Sequence, residues 1–190
     1  AVGALLGLGV AMYTGVLLWN AHSIPLWNTP LIAVLFTISA LDAGAGVVLA
    51  ALMFEKSGYA AVFVRRTSVA LLVLIVLEAC ALATLLLTRL AGSQAQALSA
   101  SLLVSGELNI QFWVLVVMVG LAVPFIFTVI VLSRFVRTPE LCRLLHFGAV
   151  ACSLIGGFTL RYVILAGGMH DVPVSLAAYQ AMLSVYTCMG

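Results

Sequence analysis

The chain has 190 residues, of which 65% are hydrophobic and 7% are charged, and its formal net charge is +2. About a quarter of the residues in an average soluble domain are charged, so this composition excludes an ordinary soluble protein. The small positive charge gives no indication of nucleic-acid binding. The sequence predicts an all-α integral membrane protein, a polytopic helical bundle, because helices satisfy their own backbone polar groups in lipid.

Five apolar runs are long enough to cross the hydrocarbon core, which requires about 20 residues. We place these transmembrane helices at about 1–19, 29–54, 67–91, 108–134 and 144–167. Residues 1–168 are then one helical bundle, and residues 169–190 are an outward-facing interfacial tail. The chain begins inside an apolar run and without Met, so we expect it to be a segment of a longer protein.

Basic residues predict the orientation of this bundle. One residue, Arg89, lies on one side, and six lie on the other: Lys56, Arg65, Arg66, Arg134, Arg137 and Arg143. Because cytoplasmic loops carry an excess of Lys and Arg, the loops at 55–66 and 135–143 are predicted to be cytoplasmic. The first turn and the 92–107 loop are predicted to face outward.

The turn between the first two helices is unusually rich in aromatic and amide side chains. Its one side chain that titrates near neutral pH is His22. Trp19 and Trp27 are interpreted either as interfacial belt residues or as part of a functional surface. Tyr13 lies about six residues below the outer end of its helix, too deep for a belt position. We therefore expect its hydroxyl to be buried, with Asp42, a water or a ligand carbonyl as its partner.

Three ionisable residues lie inside the predicted spans: Asp42, Glu78 and Arg161. Each would cost at least about 2.5–3.5 kcal/mol at the bilayer centre if unpaired, so we expect all three to face the bundle interior. One interpretation is a structural Glu–Arg or Asp–Arg pair that fixes helix register. The other is a proton path or a ligand pocket, which is favoured because two acids and one base leave one carboxyl protonated or solvated.

Cysteine and histidine patterns predict no metal site, haem or iron–sulfur cluster in this chain. The four cysteines include no CxxC pair, so a self-contained cluster or zinc site is not expected. A bis-histidine haem needs two histidines at like depth on facing helices. The three histidines do not meet this condition, because His22 and His170 are predicted outside and His146 lies at the inner end.

Three segments resemble the NrfD/polysulfide-reductase family of membrane subunits. The first, YTGVLLWNAHSIPLWNTPLIAVLFTISAL (13–41), resembles the family's Tyr-Thr-Gly helix, Pro-x-Trp-Asn turn and Leu-Phe-x-x-Ser-Ala-Leu run. The second, SGELNIQFWVLVVMVGLAVP (105–124), is similar to its Phe-Trp helix that ends in Pro. The third, GGFTLRYVILAGG (156–168), is similar to its Gly-Gly-x-x-x-Arg-Tyr helix. Family members usually have eight or more spans, so we expect N-terminal helices, and part of any quinone site, to be missing here.

The resemblance implies a membrane anchor subunit of a respiratory oxidoreductase complex, quinone-reactive and without a catalytic metal of its own. Its bound substrate would be menaquinone or another quinone, near the outer face. Its partners would be a ferredoxin-like iron–sulfur subunit, with a molybdopterin subunit or a multihaem cytochrome c, on the outer (periplasmic) side. The expected location is the cytoplasmic membrane of a bacterium or archaeon.

The candidate site residues follow from the resemblance and from the intramembrane charges together. The quinone-binding candidates are Tyr13, His22 and Asn28, with Tyr13 as a donor to a quinone carbonyl. The proton-path candidates are Asp42 and Glu78, with Arg161 as their structural or electrostatic partner. Two other functions remain open, a passive membrane anchor without a quinone site and an ion-coupled transporter, although the paired broken helices of transporters are not found.

Overall fold

The computed structural model describes residues 2–21, 24, 26–54, 60–133 and 138–169, and these are helical with short connections. The candidate residue His22 and residues 170–190 of the predicted tail lie outside the described residues. Within the described residues, six α-helices and one π-helix follow one another. They are α1 (Val2–Trp19), α2 (Pro30–Leu52), α3 (Ala60–Leu90), α4 (Gln94–Val104), the π-helix (Gln111–Ala122), α5 (Val123–Leu132) and α6 (Pro139–Met169).

The predicted all-α polytopic membrane fold is confirmed. Four helical stretches in the described part of the chain are long and apolar enough to span a membrane: Pro30–Leu52, Val62–Leu90, Gln111–Leu132 and Glu140–Met169. The first predicted helix is also present as α1, which includes the shorter apolar helix Leu6–Trp19. The order of the five predicted helices along the chain is therefore correct.

Two helices begin earlier than the sequence predicted. Helices α3 and α6 each have 31 residues, which is about 46 Å at 1.5 Å per residue and exceeds the roughly 30 Å hydrocarbon core. Their first two turns contain Arg65, Arg66 and Arg143, which are exposed. Residues 60–66 and 139–143, which were predicted to lie in loops, are therefore helical. The prediction missed them because a hydropathy pattern marks only the apolar part of a helix.

The predicted loop at 92–107 contains the short helix α4. Ser93 caps this helix, since the Gln96 backbone N–H donates to Ser93 Oγ and the Ser93 N–H donates to Gln96 Oε1 at 3.1 Å. This reciprocal arrangement is a capping box, which the Ser-x-x-Gln spacing signals in the sequence. The helix was missed because its length is too short to read as a span.

Helix α2 packs against α1, α3 and α6, while α6 also packs against α4, the π-helix and α5. Small residues allow the closest approach. A methyl group added to Gly120 of the π-helix would lie 2.6 Å from the Cα of Gly156 in α6. Backbones that approach this closely are typical of helix packing in membranes, where small residues permit the van der Waals contact that holds helices together.

The two ends of the bundle differ in character. We call the end that carries the α1–α2 turn and the last residues of α3 and α6 the turn end, and the end that carries Arg65, Arg66 and Arg143 the basic end. The main apolar cluster lies toward the turn end and includes Leu26, Trp27, Phe36, Phe112 and Ile164. At the basic end, the Arg143 guanidinium lies 5.2 Å from the ring centroid of Phe54.

The α1–α2 turn joins three helices at the turn end. The indole N–H of Trp27, which is 9% exposed, donates to the Ile164 carbonyl of α6 at 2.9 Å. Arg89 of α3 donates to the backbone carbonyl of Asn28 at 3.3 Å, and Thr29 caps α2. Trp27 is therefore a buried structural residue rather than an interfacial belt residue. Some of the polar groups of the turn form hydrogen bonds within the protein and do not face a ligand or a partner.

Candidate functional site

The two predicted intramembrane carboxyls are buried where α2, α3 and α6 meet. Asp42 of α2 is 3% exposed and Glu78 of α3 is 5% exposed, while Arg161 of α6 is partly buried. This interior location is the one expected from the cost of exposing charged groups to lipid. The structure brings these three residues together in one region of the bundle.

Asp42 has a partner that the sequence analysis did not identify. Ser153 of α6, 4% exposed, donates its hydroxyl to Asp42 Oδ2, while Asp42 Oδ1 is buried without a hydrogen-bond partner. Ser153 lies two helical turns before Arg161, about 12 Å along α6 at 1.5 Å per residue. Asp42 lies at the level of Ser153 and is therefore too far along α6 from Arg161 to pair with it. The Asp–Arg pair considered from the sequence is not formed.

Glu78 faces a second serine hydroxyl. It lies beside Ser39 of α2 and within electrostatic range of both Asp42 and Arg161. Ser39 is 2% exposed, and its hydroxyl has no partner in good hydrogen-bond geometry. Ser39 and Asp42 are three residues apart and share one face of α2, so the two carboxyls lie near one continuous polar surface.

Arg161 forms no close ion pair with Glu78. Its Nη1 donates to the Gly157 carbonyl of its own helix at 3.0 Å, and its guanidinium lies 5.6 Å from the ring centroid of Phe36. The Glu–Arg pair considered from the sequence is therefore an electrostatic proximity rather than a contact. The cation is stabilised by a helix carbonyl and by an aromatic face.

Gly157 provides the room for this arrangement. A methyl group at this position would lie 3.2 Å from Ser39 Oγ and 3.6 Å from Arg161 Nη1. Ser153, Gly157 and Arg161 follow one another at intervals of four residues, so they line one face of α6. We call the set formed by Ser39, Asp42, Glu78, Ser153 and Arg161 the carboxyl cluster.

Tyr13 lies away from the carboxyl cluster. Its side chain is 64% exposed, so the expectation that it is buried is wrong. Helix α1 packs on α2 through Gly15, which meets Ala33, and through Leu18. Since Tyr13 is two residues before Gly15, it points to the opposite side of α1.

The other quinone-binding candidates lie near the turn. The side chain of Asn28 is exposed, and its backbone carbonyl accepts the hydrogen bond from Arg89. His22 lies outside the described residues. The structure thus places the carboxyl cluster inside the bundle and the quinone-binding candidates that it describes, Tyr13 and Asn28, on its surface.

An apolar groove of about 210 Å³ lies between α3 and the π-helix. Its lining includes Leu82, Leu86, Phe112, Trp113 and Val117. None of the candidate site residues that the structure describes contributes to it, and it offers van der Waals contact rather than polar recognition. A π-helix is rare and is often found at functional sites, but neither of these features was signalled by the hydropathy pattern.

Among the described residues, no three His, Cys, Asp or Glu side chains come close enough to hold a metal ion. A model of the family described as "Polysulphide reductase, NrfD" matches residues 1–173 of the chain. No curated protein and no solved structure matches the chain.

Proposed function

We propose that this chain, which belongs to the NrfD polysulphide reductase family, binds a quinone and exchanges electrons with an iron–sulfur partner subunit. The chain is a multi-pass membrane protein of the kind found in oxidoreductase complexes. The proposed substrate is menaquinone or another membrane quinone. Quinone reduction consumes two electrons and two protons, and quinol oxidation releases them. The partner would supply or accept the electrons, and this chain would bind the quinone and handle the protons.

The carboxyl cluster is the observation that carries the proposal. Two carboxyls inside a membrane-spanning bundle are costly, and such groups in membrane proteins commonly mark proton or substrate pathways. The cluster also contains two buried polar atoms with no partner in good hydrogen-bond geometry, Asp42 Oδ1 and Ser39 Oγ. Buried polar groups are normally satisfied by protein or by ordered water. Water at these two atoms would connect Asp42 and Glu78 into a route for protons.

Tyr13 remains the proposed donor to a quinone carbonyl, with a changed geometry. Its exposed hydroxyl lies on the outer surface of α1, about six residues from the turn. A quinone that diffuses in the bilayer reaches this surface without passing through the bundle. The adjacent α1 side chains Val10, Met12 and Leu17 are apolar and exposed, which suits a hydrophobic ligand. His22 and Asn28 are proposed at the mouth of this site or at the surface of a partner.

The proposed partners are a ferredoxin-like subunit and a molybdopterin or multihaem cytochrome subunit, on the outer side of a bacterial or archaeal cytoplasmic membrane. The turn end is the proposed docking side. The basic residues of the opposite end support this orientation, because positively charged loops remain in the cytoplasm.

Quinol-linked electron transfer by the assembled complex in native membranes tests the proposal. Glu78→Gln removes the titrating proton and keeps nearly the same shape, and Glu140→Gln is the matched control, because Glu140 is exposed in the first turn of α6. We expect turnover to fall about tenfold or more in the first variant, within the range assigned to a positioned proton donor or acceptor, and to be unchanged in the second.

Two outcomes would contradict the proposal. Equal turnover in the two variants would remove Glu78 from proton handling. Absence of quinol-linked turnover in the wild-type complex, with all subunits assembled, would support the passive anchor instead.

A further inference from the structure

A second buried polar contact lies at the basic end, outside the carboxyl cluster. His146 of α6 is 5% exposed, and both of its ring nitrogens have partners. Its Nδ1 lies 2.8 Å from the Cys142 carbonyl oxygen, and its Nε2 lies 3.0 Å from the Ser68 hydroxyl of α3. The same hydroxyl lies 2.8 Å from the Val64 carbonyl oxygen.

The positions of the hydrogen atoms follow from what each partner can do. A carbonyl oxygen only accepts, so Nδ1 of His146 carries a hydrogen and donates it to Cys142. The Ser68 hydroxyl has one hydrogen and two acceptors within reach, namely Nε2 of His146 and the Val64 carbonyl. It can donate to one of them at a time.

The hydrogen bonds at this contact can be formed by the neutral ring and by the protonated ring. In the neutral ring, Nε2 accepts the hydrogen of Ser68. In the protonated ring, Nε2 donates to the Ser68 oxygen, and the hydroxyl hydrogen turns toward the Val64 carbonyl. No heavy atom has to move, and every polar group at the contact keeps a partner in both states.

We propose that His146 and Ser68 form a proton-loading site at the basic end of the bundle. One proton from the aqueous phase at that end binds Nε2, the Ser68 hydrogen rotates from Nε2 to the Val64 carbonyl, and release of the proton reverses both changes. This role rests on the proposed function, in which protons are exchanged with a quinone through the carboxyl cluster. Ser153 lies seven residues after His146 on α6, about 10 Å along the axis, so the contact lies below the cluster on the same helix.

The two hydrogen-bond partners of the His146 ring, the Ser68 hydroxyl and the Cys142 carbonyl, are uncharged. The π-helix, α4 and α5 carry no titratable side chain, so nothing on these elements fixes the charge of His146. In the described part of the chain, the titratable and charged side chains at the basic end of α3 and α6 are Arg65, Arg66, Glu140, Cys142 and Arg143. Asp42 of α2 lies farther along the bundle, at the level of Ser153. The three arginines and the glutamate are exposed to solvent, where their fields are screened.

Nitrogen-15 NMR of the full chain in lipid nanodiscs, with labelled histidine, tests the proposal directly. His146→Gln assigns the signal by its loss. We expect a tautomer with hydrogen on Nδ1 at high pH and hydrogen on both nitrogens at low pH, with reversible interconversion. A ring that keeps one state between pH 5 and 9, or whose neutral form carries hydrogen on Nε2, would overturn the assignment.

A hydroxyl-deletion pair tests the role of Ser68. The bond from a charged ring is stronger than the bond to a neutral one, so Ser68→Ala should lower the midpoint of the titration by about one pH unit. Thr84→Val is the matched control, since Thr84 donates only to the Cys80 carbonyl of its own helix, and we expect it to leave the midpoint unchanged. Equal midpoints in Ser68→Ala and the wild type would overturn the exchange described above.

Turnover by the assembled complex separates this proposal from the proposed function. His146→Gln keeps hydrogen-bonding groups but cannot carry a proton near neutral pH. We expect its quinol-linked kcat to fall several-fold with the KM for quinol unchanged, while electron transfer between the soluble partners is unaffected. Unchanged kcat in this variant with an active wild-type complex would refute the loading site alone. An inactive wild-type complex would refute the proposed function, and the histidine titration would still be measurable.

Discussion

Replacing Gly168 by Ala tests how the α1–α2 turn is held against the end of α6. A methyl group at this position would overlap the indole ring of Trp27, which is 9% exposed and donates to the Ile164 carbonyl. A shift of the ring that relieves this overlap would lengthen or break the hydrogen bond. Gly44→Ala is the matched control, because a methyl group at Gly44 meets nothing within 4 Å.

The magnitude follows from three terms. Overpacking of a buried site costs about 1–3 kcal/mol, and loss of the indole hydrogen bond costs about 0.5–1.5 kcal/mol. Ala favours the interior of a helix over Gly by about 1 kcal/mol, a gain that applies to Gly44 and is smaller at Gly168, the second-last residue of α6. We therefore expect the free energy of unfolding of Gly168→Ala to be at least about 1.5–4.5 kcal/mol below that of Gly44→Ala.

Unfolding in mixed detergent micelles, followed by tryptophan fluorescence, measures this difference. Trp27→Phe separates the cost of overpacking from the cost of the lost hydrogen bond, since it removes the N–H and keeps an aromatic ring. The lost hydrogen bond accounts for about 1 kcal/mol of its effect. If Gly168→Ala were as stable as Gly44→Ala, the close packing of the indole on α6 would be wrong, and with it the interpretation of the turn as a structural joint.

Two further predictions concern the surface of the bundle. Tyr13→Phe removes the proposed donor to the quinone and should lower quinol-linked turnover several-fold, corresponding to about 0.5–1.5 kcal/mol. The matched control Tyr162→Phe, which changes another exposed tyrosine, should have no effect, and equal rates in the two variants would remove Tyr13 from the site. In a chain without other cysteines, a membrane-impermeant thiol reagent applied from outside should label Ala91→Cys and not Ser57→Cys. The reverse pattern would invert the orientation.

The spans and the interior location of the carboxyls could be predicted because both depend on local properties. A run of apolar residues specifies a membrane helix wherever it packs. Asp42 and Glu78 would be costly in lipid on any outward face, so their burial follows without knowledge of the neighbouring helices. The same argument cannot name the partners of these carboxyls, since partners depend on how the helices pack.

Ser153 and Gly157 are the two residues of α6 at the site that could not be identified from the sequence. Serine and glycine are ordinary residues in membrane helices, and neither is conspicuous beside Arg161. The spacing of four residues that links Ser153, Gly157 and Arg161 is visible in the sequence and indicates one helix face. It could have placed a polar stripe on α6, although not the match of that stripe with Asp42 of α2.

The exposure of the Tyr13 side chain could not be predicted from its depth along α1. Its position along α1 can be counted from the turn, but the rotation of α1 cannot, because that helix is apolar on all sides and has no polar face to indicate which side is buried. Rotation is set by the contact of Gly15 with Ala33, which belongs to tertiary packing. The burial of Trp27 was missed for the same reason, since an interfacial tryptophan and a buried one look alike in the sequence.

The most direct test of the quinone site is photolabelling of the assembled complex in membranes with a photoreactive menaquinone analogue. We predict a covalent label on this chain, in the peptide that contains Tyr13, and its loss in the presence of excess unlabelled menaquinone. A label that excess quinone does not displace, or a displaceable label confined to the partner subunits, would contradict the account and leave this chain as an anchor that binds no quinone.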